Sequence, residues 1–178
     1  IPVSALRAQH EHAGMGMAHD STAAAMPTQP GQAAFGTIQE IVRILEADPK
    51  TDWSKVNLEA LRQHLIDMDD VTMHARIVQR DIAGGFEADV TGGGRTLGAI
   101  QRMLVAHAHM MNTVAAYHVT AVKTAAGARM TVTAVDAADA GEIAKLRGLG
   151  VIGVLVDGDH HPRHHLALAR GESMDHSM

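Results

Sequence analysis

Residues 74–111 and 118–155 carry the same succession of patterns, and this repetition constrains the fold more than any other feature of the chain. Each begins with an alternating segment and turns at glycine, at Gly84 and Gly85 in the first and Gly127 in the second. Each then alternates again and ends in a helical stripe. Gly98-Ala99-Ile100-Gln101-Arg102 laid over Gly141-Glu142-Ile143-Ala144-Lys145 gives an offset of 43, and the first strands match at 44. Two successive ββα units predict an α+β fold with a four-stranded antiparallel sheet and helices packed on it. The repeat also bears on residues 151–156 (VIGVLV), which have strand propensity. They align with residues 107–112, the end of a helical pattern, so a fourth helix is expected over residues 138–155, with a strand as the alternative.

A helical hairpin is expected ahead of the repeats. Thr37 and Glu40 have capping-box spacing, and Ile38, Ile41, Val42 and Leu45 follow at helical spacing. Asp48-Pro49 ends that helix. Asn57 is a good N-cap for a second helix reaching about Asp70, with Leu58, Leu61, Leu65 and Met68 on its apolar face. After the repeats, Pro162 suits the first turn of a short helix ending at Gly171. Residues 1–34, with Gly14, Gly16, Pro27, Pro30 and Gly31 and no sustained hydrophobic period, read as an unstructured arm. The folded domain is then 35–171, with 172–178 as a short tail.

With 46% apolar residues a core is available, but aromatics are only 2%, so it is built from Leu, Ile, Val, Ala and Met. The absence of cysteine excludes disulfides, Cys-type zinc sites, iron–sulfur clusters, blue copper and covalent haem. A net charge of -5 argues against a nucleic-acid partner, which needs a basic face to neutralise phosphates. No run of 18 apolar residues exists, so no membrane span is expected.

The unusual counts are 13 His and 11 Met. In the arm, His10, His12, Met15, Met17 and His19 lie within ten residues in H-x-H and M-x-M spacings. Imidazole suits copper(II) and thioether selects copper(I). On the second helix His64 and Met68 stand at i, i+4. On the third, Met103, His107 and Met111 stand at i, i+4, i+8, with His109 and Met110 beside them. Leu97, Ile100, Leu104, His107 and Met111 also make an apolar stripe, so His107 points at or near the core, where a hydrogen-bonded structural histidine is the plainer reading. If the two helices face one another, they offer two imidazoles and two or three thioethers. His74 and His118 open equivalent strands, as outer ligands or simply as exposed residues. Asp157-Gly-Asp-His-His-Pro-Arg-His-His places His160, His161, His164 and His165 within six residues, paired at i, i+4 across Pro162.

The arm, on residues 10–19 with Met26 as an outlier, resembles the His/Met-rich segments of periplasmic copper-resistance and copper-carrier proteins. That resemblance implies periplasmic copper handling and a copper exporter or another periplasmic copper protein as partner. The chain starts at Ile1 with no apolar signal segment, as a mature exported protein would, and a trimmed chain would read the same. The leading expectation is a copper-binding protein for sequestration or transfer, because the ligands outnumber any single site. Zinc fits less well, since thioethers are poor zinc ligands. A metal-dependent enzyme, hydrolase or copper oxidoreductase, is the second expectation, although no H-E-x-x-H occurs. Non-covalent haem on His107 and a methionine is the third.

Overall fold

The computed structural model describes residues 31–172. The chain runs α1 (Ala33–Ala47), α2 (Leu58–Asp69), a π-helical turn (Asp70–His74), β1 (Arg76–Ile82), β2 (Gly85–Thr91) and α3 (Gly94–Val114). It continues through β3 (Tyr117–Thr124), β4 (Gly127–Ala134), α4 (Ala140–Val156), a 3-10 turn (Asp157–Asp159) and α5 (His161–Ala169). The fold is α+β, with one antiparallel sheet in the order β1-β2-β4-β3. No described helix is long and apolar enough to cross a membrane.

The ββα arrangement occurs twice, and the pairing at the sheet centre shows how the two units relate. Gly85 pairs with Thr133, and Gly127 pairs with Thr91, so β2 and β4 exchange roles about a local two-fold axis. The hairpins correspond at 42 residues, Ile82 with Thr124 and Gly85 with Gly127, not at the 43 or 44 expected from sequence. The helices absorb the difference through unequal connections. Both glycines are required for the same steric reason. A Cβ at Gly85 would lie 2.0 Å from the Val132 carbonyl oxygen, and one at Gly127 would lie 2.0 Å from that of Val90. The backbones of β2 and β4 approach closely at these two points, so a side chain would force them apart.

Strand alternation puts Phe86, Ala88, Val90, Val119, Met130 and Val132 on one face, all buried. α3 lies over β3 and β4, and α4 lies over β1, β2 and β4, so each helix covers chiefly the other unit's side of the sheet. Ile100, Leu104 and Met111 from α3 and Leu146, Val151 and Val154 from α4 complete this core. The opposite sheet face is polar. There Arg80 pairs with Glu87 and Asp89, and Arg129 with Asp89 at 2.8 Å. Residues 151–156 are helical as the repeat implied, but α4 breaks at Gly150, whose φ of 58° suits glycine. The break lets both halves of α4 bury an apolar face.

A second, smaller core joins α1, α2 and α5 through Ile41, Leu45, Leu61 and Ala169. α1 begins four residues before the expected Thr37. Gln32 is its N-cap, accepting the Phe35 amide at 3.2 Å, and Thr37 instead donates its hydroxyl to the Ala33 carbonyl. The helix-favouring Ala33-Ala34 pair and the Gln32 cap outweigh the capping box. Asn57 caps α2 as expected, its Oδ1 accepting the Ala60 amide at 2.9 Å. Two ion pairs hold α2 and the turn after it to α3. Arg102 binds Asp67 through two 2.8 Å contacts, and Arg95 binds Asp70 at 2.8 Å.

Gly127→Ala is expected to lower unfolding stability by more than about 2 kcal/mol, within the range for strain forced on a packed core. Gly148→Ala, on an open face of α4 with nothing within 4 Å, should raise it by about 0.5–1 kcal/mol. Urea unfolding of the two variants checks both signs.

Candidate metal centre

The second turn of α2, the middle of α3 and the start of α5 meet where the two cores adjoin, and each brings histidine to the junction. Ring centroids connect all of them: His64 lies 4.5 Å from His164 and 5.4 Å from His165, and His107 lies 5.1 Å from both His160 and His161. His161 and His165 join the two groups at 5.7 Å. The helix pair and the four-histidine run, separate features in the sequence, thus form one site.

Local structure fixes two of these rings. The Nδ1 of His107 donates to the Met103 carbonyl at 3.0 Å, one turn earlier on α3. A carbonyl only accepts, so that proton must be on Nδ1 and the lone pair on Nε2. The Nδ1 of His160 likewise donates to the Asp157 carbonyl at 3.0 Å. Gly158, with φ 77°, turns the chain so that this carbonyl faces back toward the ring. His107 and His160 therefore both present Nε2, and that atom of His160 is buried without a hydrogen-bond partner. Backbone carbonyls that orient histidines in this way are characteristic of metal ligands.

His161 completes a group. Its Nε2 is 3.1 Å from the Nε2 of His107, and the ligand atoms of His107, His160 and His161 all lie within 4.8 Å of one another. Two nitrogens each ~2.0 Å from a tetrahedral ion are ~3.3 Å apart. The observed spacing needs only a small adjustment to admit an ion. Among the described residues this is the group of His and carboxylate side chains with metal-ligand spacing.

Four of the rings are held neutral. Burial, together with the charges that His164, His165, His107 and His161 would carry, pushes His64 down to about 2. Burial and His160 lower His107 to about 4, opposed by its bond to Met103. Burial lowers His161 to about 3 and His165 to about 4, each with help from neighbouring histidines. Neutral imidazole is the form that binds metal.

A cleft of about 360 Å³ opens beside the rings, lined by His64, Met103, His107, Met110 and His164. Asp67 also lines it, but its carboxylate is engaged by Arg102. Met103 stands at the cleft as expected. Met111 does not; it is fully buried in the sheet core, because the i+4 continuation of the stripe points under the helix. Met110 takes that place. It lies three residues beyond His107, a spacing that also shares a helix face, and this was the signal available for it. Met68 packs against the sheet core and lines a separate groove near Arg95. His74 does not open a strand. It ends the π-helical turn, 3.5 Å from Asp70. His118 lies in β3 and is exposed, paired with Thr133 on the sheet face away from the helices. His10, His12, Met15, Met17 and His19 lie outside the described residues.

Sequence reasoning gave no role to Asp157 or Tyr117. The Asp157 carbonyl sets the His160 tautomer, while its carboxylate accepts the Tyr117 hydroxyl at 2.8 Å. Burial and the Asp157 carboxylate both push that hydroxyl's pKa up. This contact ties the turn before α5 to the start of β3. No protein-family model, curated protein or solved structure matches the chain.

Four rings with folded pKa values of about 2 to 4 take up protons from about pH 6.5 downward only in the unfolded chain. Their contribution to stability is complete above pH 6.5 and is lost progressively as the pH falls toward 4. The melting temperature of the metal-free protein should therefore drop between pH 7 and 4, and His64→Leu should flatten the slope. Thermal melts across that range measure both; a flat wild-type profile would mean that the rings are solvated.

Proposed function

We propose that this protein binds copper at the histidine junction, for sequestration or transfer, with His107, His160 and His161 as the primary ligands. The observation that carries the reading is the pair of carbonyl-fixed tautomers. Met103 and Asp157 leave the lone pairs of His107 and His160 on Nε2, and the ligand atoms of these two residues and His161 lie within 4.8 Å of one another. Without an ion, the buried Nε2 of His160 goes unsatisfied, at a cost of about 1–3 kcal/mol. A histidine-only triad accepts zinc, copper, iron or nickel. The thioethers of Met103 and Met110 at the cleft favour copper(I), as does the H-x-H and M-x-M content of residues 10–19.

Periplasmic location, and hand-over to a copper exporter or another periplasmic copper protein, belong to the same proposal and rest on the arm's resemblance. An open cleft beside the rings suits exchange of an ion between proteins.

Two measurements test this reading. Competition against a chromogenic copper(I) chelator, beside a zinc titration, should give tighter binding for copper(I); equal or tighter zinc binding defeats the choice of metal. Melting curves of His107→Leu with and without copper test the site itself. A ligand that binds only the folded form at 100 times its Kd raises stability by about 2.7 kcal/mol. In the variant that gain should shrink sharply while metal-free stability stays level or rises, since leucine fills an apolar helix face. Undiminished stabilisation would remove His107 from the site.

A further inference from the structure

The primary triad uses only half of the junction's histidines. His64, His164 and His165 remain, and their ring centroids are 4.5, 5.4 and 6.3 Å apart. The first triad spans 4.3 to 5.1 Å. The second is wider; its ligand nitrogens do not all lie within 4.8 Å of one another, and an ion there would have to draw the rings together. We propose that the junction is a two-ion centre, with a second copper(I) seated by His64, His164 and His165. This rests on the reading of the first triad as a copper site.

The spacing of the four-histidine run matches two positions rather than one. His160-His161 and His164-His165 are two adjacent pairs, four residues apart. One turn of α-helix, ~5.4 Å along the axis, therefore separates them. Each pair meets one histidine from a different helix: His160 and His161 meet His107 of α3, and His164 and His165 meet His64 of α2. α5 and its N-cap residue thus supply two ligands to each of two positions, and the neighbouring helices supply the third.

The second observation is unsatisfied polarity. His165 is only 7% exposed, and its Nε2 has no hydrogen-bond partner; the Nε2 of His64 is likewise buried without one. A single four-coordinate ion cannot take six imidazoles, so one ion in the first triad leaves these atoms unsatisfied. A second ion gives both of them a partner.

Charge selects the oxidation state. All six ligands are imidazoles, which carry no negative charge, and no carboxylate joins the group with metal-ligand spacing among the described residues. Two divalent ions would bring four uncompensated charges into a buried seam, whereas two monovalent ions bring two. Met103 and Met110 border the cleft that His64 and His164 also line, and thioethers favour the same ion.

Anaerobic equilibrium dialysis of the full chain against buffered copper(I) tests the proposal, with bound copper measured by elemental analysis. The double variants His107→Leu/His161→Leu and His64→Leu/His165→Leu should each lose one equivalent relative to wild type. Because only differences are read, copper bound by residues 1–30 cancels. If the first variant loses one equivalent and the second loses none, the two-ion centre is overturned while the copper site stands. If neither loses copper, the copper reading itself fails. A second measurement needs no variant: imidazole nitrogen NMR of wild-type protein titrated with copper(I), which is diamagnetic. Shifts at His64, His164 and His165 that saturate with their own equivalent support the second site. Unchanged resonances for those three rings at saturation overturn it.

Discussion

Imidazoles packed against imidazoles are the constraint around which this molecule is arranged. Six such rings in one seam gain little from the hydrophobic effect, and each brings a proton donor and a lone pair that must be accommodated. The rest of the fold holds them in place. The sheet core anchors α3, and with it His107. The smaller core of Ile41, Leu45, Leu61 and Ala169 anchors α2 and α5, and with them His64 and the four-histidine run. The doubly hydrogen-bonded Arg102–Asp67 pair joins the two bodies beside the cleft. The rings thus sit where packing from both sides is already determined, which holds their orientations.

Much of the architecture was legible because it is local. Alternation, glycine turns and helical stripes follow from neighbouring residues, so the two ββα units, the helical hairpin and the Asn57 cap could be read directly. The helical assignment of residues 151–156 needed the repeat, since VIGVLV by itself suits a strand. The misplaced details involve competition between local signals. Thr37 has the right chemistry for a cap, but Gln32 reaches the Phe35 amide and the helix starts earlier. His74 has a strand-like position by alignment, yet α2 overruns into a π-helical turn that consumes it.

The candidate site was legible as a set of histidines and methionines but not as one place. His107 and His161 are 54 residues apart, and nothing in the periodicity of either helix states that α5 folds back across α2 and α3. The backbone carbonyls of Met103 and Asp157, which set two of the tautomers, have no sequence signature at all. The exchange of Met110 for Met111 shows the resolution limit of a helical wheel. Both spacings share a face with His107, and only the direction of the sheet core decides between them.

The order of the clustered histidines along the chain has a temporal consequence. His64 and His107 precede β3, β4 and α4, while the remaining four histidines of the junction come from residues 160–165. α5 is then fastened at its far end, where the Asn57 amide donates to the Ala169 carbonyl at 2.7 Å and Arg170 pairs with Asp48 at 3.1 Å. A polypeptide emerging from its amino end completes the sheet, and much of its burial, before the junction has more than two imidazoles. The histidine junction is consequently complete only when α5 docks against helices already in position.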